Sequence, residues 1–154
     1  MRFFRLTLVF LVAAAFAPAA GADWLAAVAI EDGALILRTR ELDLRPQVSR
    51  VLREQLLRIP GATVRVPGKR IGRRPCVRHF RIEVAPDGLA PFVGRLVIDQ
   101  SGSFLDDEVT GRRLALAGPN GPGREVHGAR LWLTGAVVGI GAIAVAHWGV
   151  LIPP

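Results

Sequence analysis

The stretch Leu131-Trp132-Leu133-Thr134-Gly135-Ala136-Val137-Val138-Gly139-Ile140-Gly141-Ala142-Ile143-Ala144-Val145-Ala146-His147-Trp148-Gly149-Val150-Leu151-Ile152 decides how the chain is read. It runs for 22 residues with one ionisable side chain, His147. A helix rises about 1.5 Å per residue, so this length spans roughly 33 Å, enough for the hydrocarbon core of a bilayer. Trp132 and Trp148 lie near its two ends, where interfacial aromatics belong. A soluble helix is seldom apolar on every face over such a length. The run therefore predicts a transmembrane helix over 131–152. Gly135 and Gly139 stand at the GxxxG spacing that lets two helix backbones approach and pack. They are the candidate helix-packing residues, facing a second copy of the chain or an integral membrane protein. His147, close to the end of the run, reads as an interfacial side chain.

The opposite end is also apolar, in a different pattern. Met1-Arg2-Phe3-Phe4-Arg5 is basic, Leu6 to Ala17 carries no charge, and Pro18 to Ala22 is rich in small residues. That order is a signal peptide over 1–22, with Ala20-Gly21-Ala22 before Asp23 as the cleavage site. An uncleaved anchor is the alternative reading of the same segment. A signal whose basic end stays in the cytosol exports the chain behind it. The expected location is the bacterial inner membrane, single-pass, with the main domain in the periplasm. Arg124 and Arg130, ahead of the second apolar run, lie on the side that the positive-inside rule disfavours. The first segment is taken to dominate the orientation. Two apolar ends also explain how a mean hydropathy of +0.35 coexists with a formal charge of +7.

Composition excludes several classes. With 51% apolar residues among 154, disorder throughout is ruled out. One cysteine and no glycine period exclude disulfide-rich and collagenous chains. Lysine occurs once, at Lys69, and tyrosine not at all, a bias expected of a GC-rich genome. Part of the arginine excess has that source.

Between the apolar ends, residues 23–117 read as one small exported domain and 118–130 as a Gly/Pro-rich linker. Ala34 to Arg40 predicts a strand after the Asp32-Gly33 turn. Pro46 to Arg58 predicts a helix, capped near Asp43, with Val48, Val51, Leu52, Leu56 and Ile59 on one stripe. Pro60-Gly61 ends it. Thr63–Val66, Val77–Val84, Phe92–Asp99 and Arg113–Ala117 then read as strands. The expected fold class is α+β: one amphipathic helix packed on a small antiparallel sheet, plus the C-terminal transmembrane helix.

The residues Ile59-Pro60-Gly61-Ala62-Thr63-Val64, Phe80-Arg81-Ile82-Glu83-Val84 and Leu96-Val97-Ile98-Asp99-Gln100-Ser101-Gly102 resemble a PepSY domain. The resemblance covers roughly Pro46 to Leu105. It implies an exported or membrane-anchored interaction module without catalysis. Phe80 replaces the family's usual tyrosine and Ser101 its threonine. With the preceding strand included, the order is also similar to auxiliary lipoproteins of ABC-type lipid transporters, whose lipidated cysteine this chain lacks. That likeness implies an auxiliary subunit of an envelope transporter.

Chemistry concentrates in one basic stretch. No acidic residue lies between Glu54 and Glu83, whereas Arg58, Arg65, Lys69, Arg70, Arg73, Arg74, Arg78 and Arg81 all do. Arg65, Lys69, Arg70, Arg73, Arg74 and Arg78 are the candidate contacts to an acidic partner or to anionic lipid, each worth on the order of 1 kcal/mol at an anionic surface. No aromatic interleaves the loop to stack bases, which argues against nucleic acid. Cys76 is the lone cysteine, and its place at a strand start favours a buried thiol. Asp106-Asp107-Glu108 lacks the EF-hand spacing and reads as a solvated turn. His79, His127 and His147 share no metal-ligand spacing. No nucleophile elbow, P-loop or dinucleotide fingerprint occurs, and no cofactor is implied. The functional expectation is a membrane-tethered accessory or binding protein. The alternative is an enzyme or metal-handling protein with a non-local site near Cys76 and His79.

Overall fold

The computed structural model describes residues 23–68 and 72–154. The signal-peptide reading of 1–22 and the candidate contacts Lys69 and Arg70 lie outside the described residues. In chain order the elements are β1 (Trp24–Glu31), β2 (Ala34–Arg38), β3 (Asp43–Leu44), β4 (Gln47–Val48), α1 (Arg50–Leu57), β5 (Thr63–Val66), β6 (Cys76–Val77) and β7 (Arg81–Val84). Then come β8 (Phe92–Asp99), β9 (Gly102–Asp107), β10 (Arg113–Ala117), a 3-10 turn at Arg124–Val126, β11 (Arg130–Val137) and β12 (Ala142–Ile152). The expected helix-on-sheet architecture with a transmembrane helix is therefore corrected. The chain is mostly β, with an eight-residue helix. Among the described residues no helix is long and apolar enough to cross a membrane.

Two β units carry the fold. The first is an antiparallel sheet in the order β3-β2-β1-β5-β7. The second is a closed barrel in the order β10-β12-β11-β8-β9. Its first three strands form a meander, β12 lies parallel to β10, and β11 returns beside β8. This five-stranded Greek-key closure is the connectivity of OB-type barrels. A two-residue parallel ladder joins β4 to β6.

The run 131–152 is an antiparallel hairpin, and its uniform apolarity has a specific cause. Leu131 and Leu133 are buried inside the barrel, together with Ile143 and Val145 of the facing strand. Trp132 and Leu151 point the other way, into the core shared with the sheet and α1. A strand covered on both faces reads as a continuous apolar run, which periodicity cannot tell from a buried helix. Thr134 pairs with His147 and Gly135 with Val145, so Ala146 has no opposite residue. This bulge reverses the inward face of β12: Ile143 and Val145 pack inward before it, and Trp148 and Val150 after it. The reversal breaks the alternation that would have marked a strand.

Gly135 and Gly139 consequently do not pack helices. Gly135 sits at the bulge, where a Cβ would overlap the carbonyl oxygen of Ala144 across the hairpin. Gly139 occupies the turn at φ +66°, a left-handed conformation that costs a side chain energy. The segment 118–130 is stitched to the barrel as well: Leu96 N–H donates to Ala129 O (2.9 Å) and Gly128 N–H to Leu96 O (2.8 Å).

The helix begins later than its stripe suggested. Ser49, with extended backbone, accepts from Leu52 N–H at 3.2 Å and caps α1. Pro46 to Val48 lie ahead of it, and Gln47-Val48 form β4 rather than a first turn. Leu56 and Ile59 are fully buried, but Val51 on the same stripe is exposed. Val77–Val84 splits into β6 and β7, whereas β5, β8 and β10 cover the residues their alternation marked.

The two glycines separate the hairpin from a helix dimer. Gly135→Leu should lower the stability of the domain by about 3 kcal/mol or prevent barrel closure, because backbone stands where the side chain must go. Gly139→Leu, on an open turn, should cost only about 1–2 kcal/mol. Denaturant unfolding measures both; equal effects would contradict the hairpin.

Candidate functional site

The arginines of the candidate loop divide into two groups. Arg65, on β5, turns back to the sheet, donating from Nε to Glu83 Oε1 at 2.7 Å. That hydrogen bond, with the Glu83 charge, holds its guanidinium pKa above the ordinary value. It is therefore committed. Arg73, Arg74 and Arg78 are exposed, and none has a carboxylate in salt-bridge range among the described residues.

The β4–β6 ladder brings further arginines to them. Arg45 N–H donates to Arg73 O (3.0 Å) and Gln47 N–H to Pro75 O (2.9 Å), so the end of the basic loop lies along residues 45–47. Arg45 and Arg53, both exposed and unpaired among the described residues, stand over a groove of about 370 Å³. Its floor is apolar: Leu35, Pro46 and Val48. Arg45 was missed in the sequence because it joins the basic group only through a two-residue ladder, and Arg53 because it meets Arg45 only at the groove, from α1; neither leaves a periodic trace. The absence of any acidic residue in the first turn of α1, beside Arg50 and Arg53, is the one local signal.

A larger cleft, about 480 Å³, opens between β7 and the barrel. Phe80, Ile82, Val93 and Val109 supply its apolar wall. Its charged groups are already in use. Glu83 holds Arg65, and Arg81 lies 3.7 Å away. Glu108 takes Arg130 bidentately, at 2.7 and 2.8 Å, and Arg130 also donates to the buried Gln55 amide oxygen at 2.8 Å. These contacts tie α1, the barrel and the β9–β10 turn together. The cleft offers no uncommitted carboxylate for acid–base work.

A third cluster superficially resembles a catalytic triad. The Thr134 hydroxyl donates to Asp87 Oδ2, and His147 Nδ1 lies 3.1 Å from the same oxygen. Nucleophilic catalysis needs the hydroxyl on the histidine and open to substrate. Here Thr134 is fully buried and both groups serve the carboxylate. The cluster is a clamp that fastens the turn 85–91 to the hairpin. The Asp87 side chain is only 15% exposed. Burial pushes its pKa up, but hydrogen bonds from Thr134 and Leu89 N–H, with His147, outweigh that and hold it below the ordinary value.

Cys76 is exposed on β6, contrary to the buried thiol expected of a strand start. His79 is exposed two residues after β6, and neither lines the groove or the cleft. Among the described residues no three His, Cys, Asp or Glu side chains are grouped to hold a metal ion. What the described surface presents is a charged groove and a clamped barrel. Compared with known proteins, the chain matches no family model, no curated relative and no solved structure.

The clamp predicts a pH dependence. A carboxylate whose folded pKa is depressed stabilises the fold above its unfolded pKa, and loses that contribution as pH falls through the folded value. Asp87→Asn should therefore destabilise the domain by about 1–3 kcal/mol at pH 7. The gap to the parent should close below the folded pKa. Chemical denaturation at pH 7 and at acid pH measures it; a gap independent of pH would contradict the assignment.

Proposed function

We propose that this chain is an exported binding protein whose arginine-lined groove takes an acidic, extended segment of a partner protein. The observation that carries the reading is the groove between Arg45 and Arg53. Its arginines are unpaired among the described residues, whereas the carboxylates of the larger cleft each hold an arginine. Guanidinium groups recognise carboxylates bidentately, and an apolar floor between them suits a chain segment better than a plane of headgroups. Arg73, Arg74 and Arg78 extend the basic surface beyond the groove. Uncommitted charges of one sign also steer an oppositely charged partner and raise its association rate. The likeness of Pro46 to Leu105 to PepSY domains supports an interaction module without catalysis. The signal-like order of residues 1–22 supports export.

Titration with polyglutamate, and with vesicles of anionic lipid in parallel, tests the proposal. The parent protein should bind polyglutamate, and more weakly as salt rises. Arg45→Glu with Arg53→Glu should weaken binding by about tenfold or more. Unchanged affinity in the double variant, or binding to vesicles alone, would contradict a groove for an acidic segment.

A further inference from the structure

The register of the barrel sends three connections to one end. Phe92 opens β8 opposite Leu133, Asp107 ends β9 opposite Gly94, and β11 turns into β12 at 138–141. The turn 85–91, the turn 108–112 and the hairpin tip therefore share that rim. Nine large apolar side chains are exposed among the described residues, and five stand on this rim or beside the hairpin tip: Leu89, Val109, Val137, Val138 and Ile140. Ile140 is wholly exposed, between Gly139 and Gly141, both in the left-handed region. Val138 N–H donates to Ala142 O at 2.9 Å and closes the tip.

We propose that this rim is a membrane-docking end, with the apolar tip 137–141 entering the interface of a bilayer. Three observations favour lipid over a second protein. The tip is a projecting loop, and its three large apolar side chains fall short of the roughly 800 Å² per partner of a stable protein interface. It inserts as a convex apolar wedge without needing a complementary pocket. The tip 137–141 also carries no charged or polar side chain that would have to leave water on insertion. Finally, the strands behind the tip are bolted down. Asp87 clamps the hairpin to the turn beside it, so the wedge is presented by a fixed barrel rather than by a loose loop. Acidic protein in the groove and lipid at the rim engage different residues, so the two proposals stand or fall separately.

The test uses the full chain with a site-resolved probe, so that any tether supplied by residues 1–22 cannot imitate docking. Cys76, being exposed, is changed to serine. An environment-sensitive nitrobenzoxadiazole dye is placed at Val138→Cys, or at Ser101→Cys in the β8–β9 turn at the opposite barrel end. With vesicles of phosphatidylcholine and phosphatidylglycerol, the Val138 probe should shift to the blue and brighten several-fold, and the Ser101 probe should not. Adding Ile140→Asp should raise the lipid concentration needed by about tenfold, the loss expected for one apolar side chain replaced by a charge. Arg45→Glu with Arg53→Glu should leave the response intact. No shift at Val138, equal shifts at both sites, or a shift that tracks protein concentration without lipid would each overturn the proposal. The last result would mean self-association through the tip.

Discussion

Everything in this molecule depends on the base of the hairpin, 131–134 with 148–151, being covered on both faces. One face fills the barrel with Leu131, Leu133, Ile143 and Val145. The other carries Trp132 and Leu151 into the core built with the sheet and α1. Without that second face the sheet would keep an open apolar side, since a single eight-residue helix cannot cover five strands. The hairpin is thus the wall shared by two cores. Gly149 makes the arrangement possible at close quarters: a Cβ there would stand 2.6 Å from the Trp132 indole nitrogen.

The same constraint explains which elements were legible in the sequence. Strands with one polar face announce themselves by alternation, and Phe92–Asp99 and Arg113–Ala117 were readable to the residue. The doubly covered base of the hairpin has no polar face, its exposed tip 136–141 is apolar as well, and the bulge at Ala146 scrambles what period remains, so hydropathy alone pointed to lipid. Ser49 outcompeted Asp43 as the helix cap because the chain at Gln47-Val48 was already engaged with β6. Half of the basic site was visible as a charge run. The other half, Arg45 and Arg53, came from tertiary pairing. The Asp87–Thr134–His147 clamp joins residues 47 and 60 positions apart and had no sequence signature at all.

The surfaces left over divide cleanly by chemistry. Carboxylates near the clefts and loops are spent on arginines, hydroxyls and backbone, which builds rigidity. Unpaired arginines collect at the β4–β6 ladder, and bare apolar side chains collect at one barrel rim. Both surfaces stand on elements fixed by these contacts, the arginines beside the β4–β6 ladder and the apolar side chains on the clamped hairpin.

The most direct measurement is a cross-strand disulfide in the hairpin. Ala136 and Ala144 are opposite partners in β11 and β12. In a helix they would be separated by roughly 12 Å along the axis, well beyond the 4.4–6.8 Å between Cα atoms that a disulfide accepts. In a Cys76→Ser background, Ala136→Cys with Ala144→Cys should oxidise within one chain and leave no free thiol. Persistence of both thiols in the folded protein under oxidising conditions would contradict the hairpin, and with it the barrel.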